Sequence, residues 1–141
     1  MSKPSPLGLL DTSTVILLGR ITDLTTLPDE PVISAITLAE LSVGPLAATD
    51  DSQRAARQAH LQQAEADFDP LPFDAACARA FAQVAASVRA AGRKPAARAY
   101  DALIAATALA NALPIFTCNP NDFRSIPGLD VRAVPHPGQS Q

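Results

Sequence analysis

The sequence predicts an α/β fold, a three-layer α/β/α sandwich around a short, mainly parallel sheet. Three observations lead there. Short apolar runs recur without polar alternation, clearest at Leu7–Leu10 and Pro114–Thr117, as expected of strands buried on both faces. Longer amphipathic or alanine-rich segments separate them, and right-handed crossovers would lay those helices on both faces of one sheet. Alanine supplies 28 of the 141 residues and aromatic residues only 4%, so the core must be built from small side chains and closely packed helices.

The elements follow in order. Leu7–Leu10 is a buried strand closed by Asp11, and Thr12–Gly19 turns helical, with Asp11 or Thr12 as N-cap and Gly19 as stop. Pro31 opens a second strand through Val32, Ile33 and Ser34. Thr37 begins a helix through Leu38, Leu41 and Val43 that breaks near Gly44-Pro45. Asp51–Asp67 is a polar amphipathic helix, and Phe68–Leu71 a third strand. Asp74 caps an alanine-rich helix running to about Ala91, and Gly92 and Pro95 separate it from a helix over about Ala96–Ala112. Pro114–Thr117 and Leu129–Val134 are the fourth and fifth strands. The folded domain spans 7–134, between flexible tails at 1–6 and 135–141 that are rich in Pro, Ser and Gly.

Composition narrows the class. A chain that is 48% hydrophobic with a net charge of −3 is not a disordered one. Cys77 and Cys118 cannot make a disulfide framework or a spaced metal site. Met1–Pro6 lacks a signal peptide's apolar core and no run is long enough to span a bilayer, so a cytoplasmic protein without a membrane partner is expected. Charge is unevenly spread: residues 1–74 carry −7 and residues 75–141 carry +4. Arg79, Arg89, Arg93, Lys94 and Arg98 fall in a stretch with no acid, a candidate track for a nucleic-acid backbone. The bland alternative is a solvated helical face.

In a parallel sheet the ligand site lies beyond the carboxyl ends of the strands, and four acids sort to that edge. Asp11 ends the first strand, Glu40 starts the helix after the second, and Asp122 lies in the loop after the fourth. Asp101 opens a helix that is otherwise almost wholly apolar, where a carboxylate is costly without a partner or a metal. Each has a structural reading: Asp11 as N-cap, Glu40 as the N3 member of a capping box with Thr37, Asp122 in an Asx-turn. Together they repel at neutral pH unless a cation joins them. All-oxygen donors suit Mg²⁺ or Mn²⁺, and the chemistry such an ion supports is phosphodiester hydrolysis by activated water.

The segments LLDTS (Leu9–Ser13), ISAITLAELSVG (Ile33–Gly44), YDALIAATA (Tyr100–Ala108), TCNPNDF (Thr117–Phe123) and IPGLDV (Ile126–Val131) resemble PIN-domain proteins. More narrowly, the chain is similar to the VapC ribonuclease toxins of VapBC toxin–antitoxin pairs. The resemblance implies catalytic metal ligands at Asp11, Glu40, Asp101 and Asp122, with polar support from Ser13 beside the first acid and from Thr117 and Asn119 around the last. It also implies Mg²⁺- or Mn²⁺-dependent cleavage of RNA, a homodimer, and inhibition by a cognate VapB-type antitoxin. The third strand and the Asp51–Asp67 helix match nothing distinctive, so no substrate-selecting surface follows from it.

A phospho-accepting receiver domain would share the parallel sheet. It needs an acid pair after the first strand and a Lys after the fifth, and the only lysines are Lys3 and Lys94. A catalytically silent PIN-fold interaction module is the alternative within the fold, and it gains nothing from a chain that keeps all four acids. A DNase or flap-type nuclease shares the chemistry; small size and the toxin-like motifs favour RNA. His60 on a polar helix and His136 in a tail are expected at the surface, and both cysteines as small buried hydrophobes. Leu18, Leu38, Val43, Leu61 and Phe81 are expected in the core or a dimer interface.

Overall fold

A computed structural model describes residues 6–93 and 99–138. Four strands form one parallel sheet: β1 (Leu7–Leu10), β2 (Glu30–Val32), β3 (Ile115–Thr117) and β4 (Val131–Ala133), in the spatial order β2-β1-β3-β4. Around it run α1 (Thr12–Leu17), α2 (Ala35–Leu46), α3 (Asp51–Asp67), α4 (Ala75–Ala90) and α5 (Ala99–Ala110). Neighbouring residues on a strand face opposite sides. Leu9 and Ile115 accordingly enter a core with Val84, Val88, Ile104 and the buried alanines of α5. Leu10 and Phe116 enter a second core with Ile33, Leu41 and Ala64. Two cores, one on each face, make the predicted three-layer sandwich.

The central strand explains the close packing. A Cβ on Gly8 would come within 2.4 Å of the Phe116 ring and 2.7 Å of Pro28, so only glycine lets the β3 ring lie across β1. On the other face Ala102, Ala105, Ala106 and Ala108 are each at most 3% exposed. The small side chains let α5 lie directly between the sheet and α4.

Three expectations give way. Phe68–Leu71 is no strand: only Leu71 pairs, in a single parallel bridge to Ser34, because Pro70 and Pro72 deny the segment alternate N–H donors. The sheet therefore has four strands, not five. The second helix starts at Ala35, two residues before Thr37, because the Ser34 hydroxyl caps it by accepting from the Thr37 N–H at 3.1 Å. It also runs through Gly44-Pro45 to Leu46; a proline in the last turn forfeits little of the hydrogen-bond ladder. The helices at Asp51–Asp67 and Ala75–Ala90 fall where the sequence puts them, each capped by the aspartate before it. Of the predicted tails, residues 1–5 and 139–141 lie outside the described residues, and the Pro6 carbonyl is tied to the Glu30 N–H at 2.9 Å. Lys94, Pro95 and Arg98 also lie outside the described residues, as does the predicted helix start at Ala96.

Candidate active site

Asp11 organises the carboxyl edge of the sheet. It sits where β1 passes into α1, 3% exposed, and serves as the N-cap of α1. Its Oδ1 accepts from the Thr14 N–H at 3.3 Å and from the Thr14 hydroxyl. Its Oδ2 accepts from the Thr117 hydroxyl at 2.9 Å and the Ser13 hydroxyl at 3.2 Å. The donors are themselves held: Cys118 N–H donates to Thr14 Oγ1 at 3.0 Å, and Asn119 N–H to Thr117 Oγ1 at 2.9 Å. Asn119 Nδ2 donates to Ser13 Oγ at 2.9 Å. Burial pushes the Asp11 carboxyl above its ordinary value, while the hydroxyl and amide donors pull it back.

Glu40 faces the same edge from the second turn of α2, half-buried. Its Oε1 accepts from the Thr12 hydroxyl at 2.5 Å, and Thr12 Oγ1 lies 3.0 Å from Thr37 Oγ1. Burial raises its carboxyl too, against the Thr12 bond, and the Asp11 charge adds to the rise. The capping-box reading of Glu40 therefore fails, since Ser34 is the cap and Glu40 stands six residues beyond it.

Topology brings the other two acids to this edge. α5 leads into β3, so its C-terminus lies at the amino edge of the sheet and its first turn, with Asp101, at the carboxyl edge. Asp122 ends a short 3₁₀ turn, Pro120–Asp122, just past β3. Both are half-buried. The donor chemistry fits a hard cation, being carboxylate and hydroxyl oxygen throughout. Among the described residues no group of three or more His, Cys, Asp or Glu stands close enough to hold one ion.

The supporting residues differ in detail from expectation. The side chains of Thr117 and Asn119 serve Asp11 and Ser13 beside the first acid, while the Asn119 carbonyl accepts from the Asp122 N–H at 3.1 Å. Thr14 and Ser34 have no site role in the sequence reading, and Thr12 and Thr37 only capping ones; the run Asp11-Thr12-Ser13-Thr14 straight after an apolar strand is the available signal. Of the basic stretch, Arg79 and Arg89 are exposed on α4. Arg93 is half-buried and reaches the loop carrying Asp122, donating to the Asn121 carbonyl at 3.0 Å and the Asp122 carbonyl at 3.5 Å. Gly92, at φ +79°, makes the turn that aims it. Cys77 and Cys118 are buried free thiols, raised by burial. Leu18, Leu61 and Phe81 pack against the two cores, whereas Val43 is 50% exposed.

Comparison with known proteins agrees with this geometry. The PIN domain family matches residues 9–129. Ribonuclease VapC5 of Mycobacterium tuberculosis is 39% identical over 130 residues, 91% of this chain and 93% of that protein. Ribonuclease VapC of Rickettsia bellii is 32% identical over 130 residues, 90% of this chain and 96% of that protein. The crystal structure of VapBC-5 from M. tuberculosis, a member of the VapBC family of toxin–antitoxin systems, contains a chain that superposes with a TM-score of 0.76 at 36% identity, covering 92% of this chain and all of that one. A buried aspartate at the end of a central parallel strand, a second carboxylate facing it and this degree of likeness lead to one conclusion: the chain belongs to the PIN-domain family, among the VapC proteins.

Proposed function

We propose that the chain is an endoribonuclease, the toxin of a toxin–antitoxin pair, which hydrolyses RNA phosphodiester bonds with Mg²⁺ or Mn²⁺ and is restrained by a VapB-type antitoxin. The observation that carries the reading is the Asp11–Glu40 pair, a buried and a half-buried carboxylate at one sheet edge, both raised by burial, with the Asp11 charge adding to the rise at Glu40. Asp11 and Glu40 would hold the ion, with Asp101 and Asp122 at the same edge as the further carboxylates the proposal enlists. A hard cation bound there lowers the pKa of water and screens the phosphate oxygens.

The chain's own residues do the positioning. Four hydrogen bonds from Thr14, Thr117 and Ser13 fix both oxygens of Asp11, so it meets a ligand without reorganising. Thr12 occupies Oε1 of Glu40 and leaves Oε2 to take a ligand or a proton. The thiol beside Asp11, Cys118, is buried and raised by burial, which favours direct attack by water over a covalent cysteine intermediate. The relatives named ribonucleases supply the substrate class, and the VapBC complex among the neighbours supplies the antitoxin. A homodimer and a cytoplasmic setting belong to the same proposal; Val43 and Leu46, 50% and 88% exposed near the end of α2, are side chains a second copy would cover. The test is cleavage of structured RNA in Mg²⁺, in Mn²⁺ and in EDTA. Cleavage confined to the two metals is expected, and undiminished cleavage in EDTA overturns the proposal.

A further inference from the structure

The α3 helix carries no recognisable motif, yet it closes one side of the candidate site. A cleft of about 170 Å³ lies between α1, α2 and α3, and its lining includes Thr12, Ile16, Glu40, Leu41, Arg57 and His60. Glu40 and its partner Thr12 stand in that lining. So do Arg57, whose guanidinium gives one N–H to the Gly44 carbonyl at 3.0 Å, and His60, whose imidazole makes no hydrogen bond among the described residues. Ile16 and His60 also line an apolar groove of about 510 Å³ that continues between α1 and α3 past Val15 and Phe68. The cleft is thus a path leading away from the site, with His60 at the junction.

We propose that this cleft is a subsite for a nucleotide flanking the scissile bond of single-stranded RNA, with His60 stacking on the base and Arg57 contacting its phosphate or base edge. The inference rests on the ribonuclease reading of the Asp11–Glu40 site and adds where the strand runs. Unstacked bases in single-stranded RNA are held by aromatic rings, imidazole included, and by guanidinium groups. The chain has no Trp and one Tyr, so a half-buried imidazole beside aliphatic walls is among its few stacking surfaces. A guanidinium offers a planar fork that suits phosphate and base-edge acceptors. Ile16 and Leu41 supply the apolar sides that a base face favours over water. The cleft opens on Glu40, which puts its occupant next to the phosphodiester being cut and gives the subsite influence over which bond that is.

The experiment uses the purified full chain and short RNAs randomised on both sides of a mapped cleavage site. For His60→Ala, KM rises about tenfold, kcat stays within about threefold, and the nucleotide preference at one flanking position broadens. His60→Phe restores both KM and preference, which a merely structural role for the helix would not predict. Arg57→Gln raises KM and flattens its salt dependence. Unchanged KM and unchanged flanking preference in His60→Ala overturn the subsite. So does a His60→Ala protein whose only defect is weaker inhibition by the antitoxin, because the cleft would then be a protein-docking surface. Absence of cleavage by the wild type, by contrast, defeats the ribonuclease reading itself.

Discussion

Replacing Thr14 by valine tests how the fold holds Asp11. Thr14 is wholly buried, and its hydroxyl does two jobs, donating to Asp11 Oδ1 and accepting from the Cys118 N–H at 3.0 Å. Valine has the same shape and can do neither. A hydrogen bond to a charged group contributes about 1.5–3 kcal/mol, and a buried amide left without an acceptor costs about 1–3 kcal/mol. Asp11 keeps the Thr14 N–H, Ser13 and Thr117, so the combined loss should be about 3 kcal/mol, not the full sum. With about 2.1 cal/mol/K of unfolding entropy per residue over this length, that is a fall in Tm of about 10 °C. Thr14→Ser keeps the hydroxyl and should lose only about 1 kcal/mol for the missing methyl. Urea melts of the three proteins in EDTA measure both. Cleavage should also fall in Thr14→Val, since one Asp11 oxygen is no longer pinned. If Thr14→Val costs under about 1 kcal/mol, or no more than Thr14→Ser, the hydroxyl does not organise this edge.

Three further outcomes follow from the geometry. Ser34→Ala should destabilise by about 1 kcal/mol through loss of the α2 cap, while Glu40→Gln leaves stability equal or higher and lowers single-turnover cleavage at least about a hundredfold, or about 2.7 kcal/mol of barrier; wild-type cleavage by Glu40→Gln removes Glu40 from the site. Burial raises the folded pKa of both Asp11 and Glu40, so their contribution is fully present below the unfolded carboxylate range near ~4 and lost as pH rises through the raised values. Melts in EDTA should therefore show a higher Tm on mild acidification, a trend that Asp11→Asn weakens; Asp74, lowered by its cap bond to the Cys77 amide, acts with opposite sign and only at lower pH. Arg93→Ala should release the Asn121–Asp122 backbone and lower kcat more than it raises KM, whereas a change confined to KM and its salt slope would return Arg93 to a role in contacting the RNA backbone.

The sequence alone determined the fold class and nominated the candidate acids, because both readings depend on local pattern and chain order. The apolar runs at Leu7–Leu10 and Ile115–Thr117 are strands covered on both faces, and a parallel sheet fixes which end of each strand carries the site, so Asp11, Glu40 and Asp122 sort to one edge from chain order alone. The cap residue Asp74 was equally legible, since a cap acts within its own turn. What only the tertiary structure decided involves groups distant in the chain. Thr117 bonds Asp11 across 106 positions and Thr12 bonds Glu40 across 28, and no local pattern says which hydroxyl meets which carboxylate. The Thr37–Glu40 spacing imitates a capping box, and only the position of Ser34, fixed by its bridge to Leu71, shows that the helix begins earlier. Arg93 reads as one charge among five in the sequence; the turn at Gly92 decides that it reaches the loop of Asp122. His60 likewise reads as a polar-face residue until α3 packs against α2 and turns it into the wall of a cleft beside Glu40.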